Sequence, residues 1–330
     1  MYGAHLRAEE RMQHRSELGG RLQAALGDSY EVQDTLATGG MATVFLAREP
    51  VADRLVALKV LHPELSTSVG PKRFRHEIAV TSRLAHPNIL PVLDHGEVEG
   101  PLLWYSMPYV AGETLRARLA REARLPLEEA LRIAGELAGA LEYAHGEGYM
   151  HRDVKPDNIL VRERQDTLLA DFGIARAVRN ADGSTKAGVA DDVEVPTTTT
   201  GFVVGSPQYM SPEQVGGDPL LDGRTDQYSL AVVLYEMLAG ETPFGGRTAG
   251  AVVSKMLASS APSVRLVRAD VPVVVDQAIF RALSRSRNDR FASISEFATA
   301  LHITPSDQPA GGRGVLGALA GRLRAWRTRE

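Results

Sequence analysis

The chain has 330 residues, of which 44% are hydrophobic and 24% charged, the composition of a globular protein with length for about two folding units. Its formal net charge of −4 argues against a nucleic-acid partner, since such proteins present a strong excess of positive charge. The absence of cysteine excludes a disulfide scaffold, a thiolate zinc site and a cysteine nucleophile.

The N-terminal region is charged and has a helical pattern. Residues 1–20 lack the apolar segment of a secretory signal, and no later apolar run is long enough to cross a bilayer, so we expect a cytoplasmic chain. Leucines recur at every fourth position from Leu18 to Leu26, and Gly27 follows where a helix would end. These features predict a helical extension over 1–29.

The next part of the chain has the pattern of a small β-rich region. Short runs rich in β-branched and aromatic residues alternate with turn residues, and a single helical stretch separates the earlier runs from the later ones. The predicted strands are 30–36, 43–47, 55–60, 90–93 and 102–107, and the predicted helix is 72–84.

After Gly112 the pattern is mainly helical. Residues 128–145 carry an apolar stripe with a period of about 3.6 residues, and 227–238 are apolar nearly all round, which indicates a buried central helix. Residues 180–200 have little periodicity and several acidic residues, so we expect a mobile loop there. Residues 304–314 have the composition of a linker.

Three short signals in the β-rich region point to a bound phosphate. The glycines of Gly39-Gly40-Met41-Ala42 lie between two predicted strands, where backbone N–H groups can approach phosphate oxygens without an intervening Cβ. Lys59 lies on a strand, and Glu77 lies on the helix that follows it. An ion pair between them would hold the ammonium against a nucleotide. Each signal is weak alone, and their order gives them weight.

The decisive segment is His151-Arg152-Asp153-Val154-Lys155-Pro156-Asp157-Asn158, which is followed by Asp171-Phe172-Gly173 and later by Ser211-Pro212-Glu213. With the three earlier signals, this order of motifs resembles the serine/threonine protein kinases, most closely the eukaryotic-like (Hanks-type) kinases of bacteria. The resemblance covers about 30–301. It implies an α+β, two-lobed protein kinase fold, with a small β-rich N-lobe, a larger mainly helical C-lobe, and an activity that uses ATP and Mg²⁺.

The implied organisation divides the chain into five parts. The extension over 1–29 precedes a kinase domain over 30–302, and a linker and a basic amphipathic tail follow it. The boundaries are N-lobe 30–107, hinge 108–112, C-lobe 113–302, linker 303–314 and tail 315–330.

The resemblance also implies roles for the charged residues. Asp153 would orient the substrate hydroxyl, and Lys155 would contact the γ-phosphate, as in serine/threonine rather than tyrosine kinases. Lys59, paired with Glu77, would contact the α- and β-phosphates. The magnesium ligands would be the oxygen atoms of Asn158 and Asp171.

The resemblance also predicts which residues would form a nucleotide pocket. The glycine-rich loop would cover the phosphates, apolar side chains would enclose the adenine, and the hinge backbone would bond its edge. The predicted contacts are Leu36, Ala37, Thr38, Gly39, Gly40, Met41, Ala42, Thr43, Val44, Ala57, Lys59, Met107 (the gatekeeper), Pro108, Val110 and Leu160.

Two supports of the large lobe are predicted as well. Asp226 opens the buried helix and would cap the backbone of the catalytic loop, and Arg290 would pair with Glu213. The chain departs from the family pattern at Ala37 and Ala42, which replace the first and third glycines of the loop, and in a longer activation segment. No catalytic group is lost.

Two other functions compete with the protein kinase. A pseudokinase scaffold would bind nucleotide without transfer, but such proteins lose one of Lys59, Asp153 or Asp171, and all three are present. A kinase-like phosphotransferase acting on small molecules would not need Ser211-Pro212-Glu213, which in protein kinases belongs to the peptide-docking platform. We expect protein substrates carrying serine or threonine.

Control and partners are predicted from two remaining segments. The run Thr197-Thr198-Thr199-Thr200 is the expected site of autophosphorylation, since Arg152 marks the kinases in which an activation-segment phosphate pairs with a basic pocket. Phosphorylation in trans would need a homodimer. The tail over 315–330 has leucines and Trp326 on one face with arginines around it, which suits docking on the kinase, an anionic membrane surface or an acidic partner.

Overall fold

The computed structural model describes residues 17–98, 102–162, 166–172 and 206–301. The chain forms two compact units. Of the described residues, the first unit contains 17–84, 90–98, 102–111 and 171–172, and the second contains the remainder. The predicted loop over 180–200, the threonine run, the linker and the tail lie outside the described residues.

The first unit is built on a five-stranded antiparallel sheet with strand order β1-β2-β3-β5-β4. Every second residue of β2 and β3 lies in one buried apolar cluster, which gives the sheet a buried face; these residues are Phe45, Ala47, Val56, Leu58 and Val60. The elements are α1 over 17–26, β1 Glu31–Thr38, β2 Ala42–Glu49, β3 Arg54–Leu61, α2 Pro63–Val69, α3 Pro71–Thr81, β4 Asp94–Val98 and β5 Leu102–Pro108.

Helix α1 packs on this sheet. Leu18 and Leu22 are buried in one apolar cluster with Phe45 and Trp104, so the predicted leucine stripe is the packing face. The Gln23 side chain accepts a hydrogen bond from the Val32 N–H at 2.7 Å and donates one to the Tyr30 carbonyl at 3.1 Å. The helical extension is therefore joined to the edge of the sheet by apolar packing and side-chain hydrogen bonds.

One predicted strand is wrong. The apolar run 90–93 forms no strand, and β4 lies immediately after it at Asp94–Val98. Pro91 has no N–H to give to a ladder. The polar segment pairs instead with β5, opposite 102–106, where Gly96 lies across from Trp104 and a Cβ would come within 2.9 Å of its ring. The position of β4 is set by its long-range partner rather than by local apolar character.

The second unit is mainly helical, with a short three-stranded antiparallel sheet in the order β6-β7-β8. This small sheet was not predicted, because its strands are only three or four residues long. The elements are β6 Gly112–Thr114, α4 Leu115–Glu122, α5 Leu127–Gly146, β7 Ile159–Arg162, β8 Thr167–Leu169, α6 Pro212–Val215, α7 Arg224–Ala239, α8 Ala249–Ala258, α9 Val273–Ala282 and α10 Ile294–Ala300.

Helix α7 is the centre of this unit. Its residues from Thr225 to Ala239 are all buried, as its apolar pattern predicts. Helix α5 packs its apolar stripe against α7, with Ile133, Leu137 and Leu141 fully buried. In the described part of the chain no helix is long and apolar enough to cross a membrane. The α+β class is confirmed, with a sheet in the first unit and helices in the second.

Candidate active site

In the first unit, two donors meet the carboxylate of Asp171. The Lys59 ammonium on β3 forms an ion pair with Asp171 Oδ2. The Tyr105 hydroxyl on β5 donates a hydrogen bond to Asp171 Oδ1 at 2.5 Å. Lys59 and Tyr105 lie directly opposite each other in the β3–β5 pairing, so their side chains leave the same face of the sheet. Lys59 and Asp171 are sequence predictions, whereas Tyr105 is not.

Burial keeps the Tyr105 hydroxyl protonated beside Asp171. Burial first, and then the negative charge of Asp171, raise the pKa of Tyr105 well above its usual value, so the phenol remains a neutral donor. Asp171 has a φ of +67°, in the left-handed region that costs a residue other than glycine about 1–2 kcal/mol. The bonds from Lys59 and Tyr105 help to hold that backbone conformation.

Glu77, the predicted partner of Lys59, is buried on α3 in the same unit. Among the ion pairs of the described residues, Lys59 is joined to Asp171 and not to Glu77. The structure thus brings the strand lysine to the predicted metal ligand, while a pair between Lys59 and Glu77 stays a prediction.

The sheet register also groups predicted nucleotide-binding residues. Val44 lies opposite Lys59, and Ala57 lies opposite Met107. Since alternate residues of a strand share a face, these side chains leave the same face as Lys59 and Tyr105. Val44, Ala57 and the predicted gatekeeper Met107 therefore share one surface of the first unit.

The glycine-rich segment forms the turn between β1 and β2. The Gly39 N–H donates to the Ala42 carbonyl at 2.9 Å, and a Cβ at Gly40 would meet nothing within 4 Å. Neither glycine has a positive φ, so neither the turn nor the packing requires glycine here. Because glycine has no side chain, a phosphate could come close to the backbone of Gly39 and Gly40. Ala37 lies within β1 opposite Val44, an ordinary position for alanine.

The remaining loop predictions surround this turn. Leu36 is exposed on β1, Thr38 ends that strand, and Met41 receives a hydrogen bond on its carbonyl from the His62 N–H at 3.0 Å. Thr43 is buried, with its hydroxyl 3.3 Å from His62 Nε2. These contacts fix the base of the turn and leave its tip exposed.

The hinge follows β5. Pro108 ends the strand opposite Val56, and the Tyr109 N–H donates to the Leu55 carbonyl at 3.2 Å. Within the described part of the chain, the Val110 N–H has no hydrogen-bond partner. An unused donor at this position suits the edge of an adenine ring, as the sequence predicts.

In the second unit, three predicted residues form one hydrogen-bonded loop. Lys155 Nζ lies 2.8 Å from Asp153 Oδ2, and Asn158 Nδ2 donates to Asp153 Oδ2 at 3.0 Å and to its carbonyl at 2.9 Å. Asp153 Oδ1 has no hydrogen bond within the described residues. One carboxylate oxygen is thereby fixed, and the other is available for a substrate hydroxyl. Leu160 lies on β7, directly after this loop.

Asn158 also has one committed end and one available end. Its amide nitrogen is used in the loop, and its Oδ1 atom has no partner within the described residues. An amide oxygen and the carboxylate of Asp171 are the hard donors that a divalent cation prefers. No group of three histidine, aspartate or glutamate residues that could hold a metal occurs in the described ranges. Asn158 Oδ1 and, in the first unit, the Asp171 carboxylate are each of the donor type that Mg²⁺ takes in proteins, and their joint role as its ligands stays a prediction.

Asp226 holds the backbone of the catalytic loop. Its carboxylate is fully buried and accepts hydrogen bonds from the His151 N–H at 2.8 Å and the Arg152 N–H at 2.7 Å. His145 Nε2 lies 2.8 Å from the same carboxylate. Arg152 has a φ of +67°, and the two backbone bonds lock that conformation. The predicted cap is present, and His145 is a partner that sequence reasoning missed.

His151 fixes the other side of the loop. Its Nε2 atom lies 2.8 Å from the Ala170 carbonyl, which makes it the donor, and its Nδ1 atom accepts from the Asp153 N–H at 3.2 Å. This tautomer links the residue before Asp171 to the backbone of Asp153. The histidine is therefore a positioning group for the loop.

Burial opposes ionisation of Asp226, but the hydrogen bonds from His145 and from the loop backbone hold its pKa below the usual value. A carboxyl with a lowered folded pKa contributes stability above its unfolded pKa of about 3.9 and loses it as the pH falls further. We expect Asp226→Asn to lower the free energy of unfolding by about 1–3 kcal/mol at pH 7.

This difference should shrink as the pH falls below about 4, because the unfolded carboxyl takes up its proton first and the folded carboxyl, with its lowered pKa, follows only at lower pH. Urea unfolding at several pH values measures it. Asp270→Asn, which changes a carboxylate that is 68% exposed, is the matched control and should have little effect at any pH. A pH-independent loss in Asp226→Asn would contradict the assignment.

Two side-chain clusters complete the second unit. Arg290 and Glu213 form a two-pronged ion pair with both N–O distances at 2.7 Å, as predicted. Burial opposes ionisation of Glu213, yet Arg290 holds its pKa below the usual value. Arg116 pairs with Glu236 at 2.8 Å, and the Tyr209 hydroxyl donates to Glu236 at 2.6 Å. Sequence reasoning missed this second cluster.

Comparison with known proteins agrees with this geometry. A family model described as the protein kinase domain matches residues 30–292. The chain belongs to the protein kinase family. A crystal structure of the PknI kinase domain of Mycobacterium tuberculosis superposes with a TM-score of 0.64 and 34% identity, covering 83% of this chain and 95% of that one. The expected two-lobed kinase fold is thereby confirmed.

Curated relatives are named serine/threonine-protein kinases. Pkn3 of Myxococcus xanthus is 37% identical over 286 residues, which is 84% of this chain and 50% of that protein. PknB of Mycobacterium leprae is 38% identical over 290 residues, which is 86% of this chain and 44% of that protein. The resemblance to bacterial serine/threonine kinases is confirmed, and the chain spans about half the length of these relatives.

Proposed function

We propose that the chain is a non-specific serine/threonine protein kinase that transfers the γ-phosphate of ATP, with Mg²⁺ as the divalent ion, to hydroxyls of protein substrates. The observation that carries this proposal is the loop in which Lys155 and Asn158 fix one oxygen of Asp153. The hydrogen bond that the His151 N–H donates to the Asp226 carboxylate keeps this loop in place. Such a loop has the parts that phosphoryl transfer to a hydroxyl needs.

Each residue has a defined task. The available oxygen of Asp153 accepts the hydrogen of the substrate hydroxyl and aligns that hydroxyl for attack. Lys155 and Lys59 supply positive charge toward the phosphate oxygens, where negative charge accumulates during transfer. Asn158 and Asp171 would hold Mg²⁺, and the ion, when bound, neutralises charge on the phosphates. The turn over 38–43 would cover the nucleotide.

A coupled assay of ADP formation tests this function against its rivals. We expect ATP consumption by the full chain to increase on addition of a protein rich in serine and threonine, and not on addition of small alcohols or sugars. Stimulation by a small alcohol alone would indicate the small-molecule phosphotransferase, and nucleotide binding without any turnover would indicate the pseudokinase scaffold. The described residues retain Lys59, Asp153 and Asp171, which favours the kinase.

We further propose that the kinase phosphorylates its own activation segment within the run from Thr197 to Thr200. A phosphate adds about −1.5 to −2 charges at pH 7 and accepts several hydrogen bonds, so it suits a basic partner such as Arg152. After incubation with Mg-ATP, peptide mass spectrometry should find phosphate in this run, and changing all four threonines to alanine should lower activity at least about tenfold. Full activity of the quadruple variant without phosphate in the segment would contradict this.

Location and partners are proposed on the same basis. We place the kinase in the cytoplasm, where ATP and reduced conditions are found, and the absence of cysteine is compatible with that. A homodimer would serve phosphorylation in trans, and the tail over 315–330 would bind the kinase itself, an anionic membrane surface or an acidic protein. Flotation with anionic liposomes, with and without the tail, separates the membrane alternative from the others.

A further inference from the structure

We propose that Tyr105 is a positioning residue for Asp171, which it holds by one carboxylate oxygen in the orientation that metal and nucleotide binding require. The inference rests on the proposed function, because Asp171 is assigned there as a magnesium ligand. Tyr105 itself is two residues before the gatekeeper, at a position to which the motifs of the sequence assign no role.

The sheet register produces the contact. Tyr105 on β5 and Lys59 on β3 are direct cross-strand neighbours, and both side chains reach Asp171. The hydroxyl of Tyr105 is 2.5 Å from Oδ1, while the ammonium of Lys59 is on Oδ2. Each carboxylate oxygen therefore has its own donor on a strand of the same sheet. Two donors on two oxygens fix both the position and the rotation of a planar carboxylate.

Tyr105 is suited to this task because its ring is packed in the interior of the first unit. The residue is 1% exposed, and its ring centroid lies 6.4 Å from that of Phe74 on α3. A buried hydroxyl needs a hydrogen-bond partner, and here that partner is Asp171. The bond thus links a rigid side chain of the sheet to a residue whose backbone is strained, with φ at +67°.

The two donors differ in what they can do during turnover. Lys59 is the predicted partner of the nucleotide phosphates, so a bound nucleotide would compete with Asp171 for its ammonium. A neutral phenol carries no charge for phosphate to attract, and it can stay on Oδ1 while the rest of the carboxylate binds a cation. Tyr105 is therefore the donor that can preserve the orientation of Asp171 through the cycle.

The first test uses the metal-free protein. Tyr105→Phe keeps the ring and removes only the hydroxyl, so it should lower the urea midpoint of unfolding in the wild-type background. In an Asp171→Ala background the same change should cause no further loss, since the bond is already gone. Equal losses in both backgrounds would overturn the proposal.

The second test measures binding of a fluorescent ATP analogue as Mg²⁺ is added. We expect Tyr105→Phe to raise the Mg²⁺ concentration for half-maximal binding about tenfold, because the bond to a charged carboxylate contributes about 1.4 kcal/mol or more. Nucleotide affinity in EDTA should be unchanged. A merely structural role of the ring predicts no shift in the Mg²⁺ requirement.

Tyr30→Phe is the matched control. Tyr30 is also buried in the first unit, and its hydroxyl lies 3.2 Å from both Asp94 Oδ2 and Ser106 Oγ, away from Asp171. This variant should bind the analogue with the wild-type Mg²⁺ requirement. A shift of less than twofold in Tyr105→Phe, a lower requirement, or the same shift in Tyr30→Phe would overturn the proposal. If the wild type binds no nucleotide, the proposed function fails, and the urea comparison then decides the role of Tyr105 by itself.

Discussion

Replacing Asp153 by asparagine is expected to lower the rate of phosphoryl transfer by about 10²–10⁴-fold, the range for loss of a positioned general base. Asparagine keeps the size of the side chain and one carbonyl oxygen, so the bonds from Lys155 and Asn158 are largely retained. With the carbonyl oxygen of asparagine on those two donors, an amide NH₂ would stand in the place of the available oxygen Oδ1. The substrate hydroxyl would then have no anion to accept its hydrogen.

Asp157→Asn is the matched control, because Asp157 lies in the same loop with its carboxylate 49% exposed and 3.4 Å from Arg116. It should retain wild-type activity within about twofold, since an exposed ion pair contributes little. Initial rates at saturating Mg-ATP measure both variants, and circular dichroism checks the fold. An Asp153→Asn enzyme as active as Asp157→Asn would show that Asp153 is not the base.

Replacing Arg290 by methionine is expected to lower the free energy of unfolding by about 3–5 kcal/mol, the cost of leaving a buried carboxylate without its partner. The Arg290 side chain is fully buried and bonds both oxygens of Glu213, the Arg224 carbonyl and the Ser284 carbonyl. Its guanidinium also lies 4.9 Å from the ring centroid of Tyr228. All of these contacts lie within the second unit.

The double variant Glu213→Gln with Arg290→Met isolates the stranded charge. It should be more stable than Arg290→Met alone, since the unpaired carboxylate is removed. Arg285→Met is the control at an exposed arginine five residues away and should change stability by less than about 0.5 kcal/mol. Urea unfolding measures the free energy of unfolding of the wild type and of these three variants. An Arg290→Met protein as stable as Arg285→Met would refute the structural role of the pair.

Much of the fold could be predicted because local pattern and tertiary structure agree. The leucine stripe of α1, the apolar stripe of α5 and the all-round apolar character of α7 each match the face that the structure buries. The segment 90–93 fails for the opposite reason. Its Leu93 packs against the apolar cluster of the sheet, and the strand after it is polar because pairing with β5 needs backbone groups only.

The residues of the candidate site also fall into those that local sequence spacing predicts and those that it does not. Asp153, Lys155 and Asn158 lie in one motif whose spacing is local, so the sequence predicts their grouping. Asp226 is 75 residues from His151, and its contact with the loop could be predicted only from the family resemblance. Tyr105 and His145 contact the site through strand register and helix packing, which short motifs do not encode. The cluster of Arg116, Tyr209 and Glu236 joins segments 27 to 120 residues apart, so no local spacing reveals it.

We propose that this chain moves the terminal phosphate of ATP to serine or threonine. The most direct measurement incubates the full chain and a generic protein substrate with Mg²⁺ and ATP labelled on either the γ- or the α-phosphate, followed by acid hydrolysis and phosphoamino-acid analysis. We predict label in phosphoserine and phosphothreonine from γ-labelled ATP and none from α-labelled ATP. Label in phosphotyrosine alone, label from the α-position, or no label in protein while Mg-ATP binds would contradict the account.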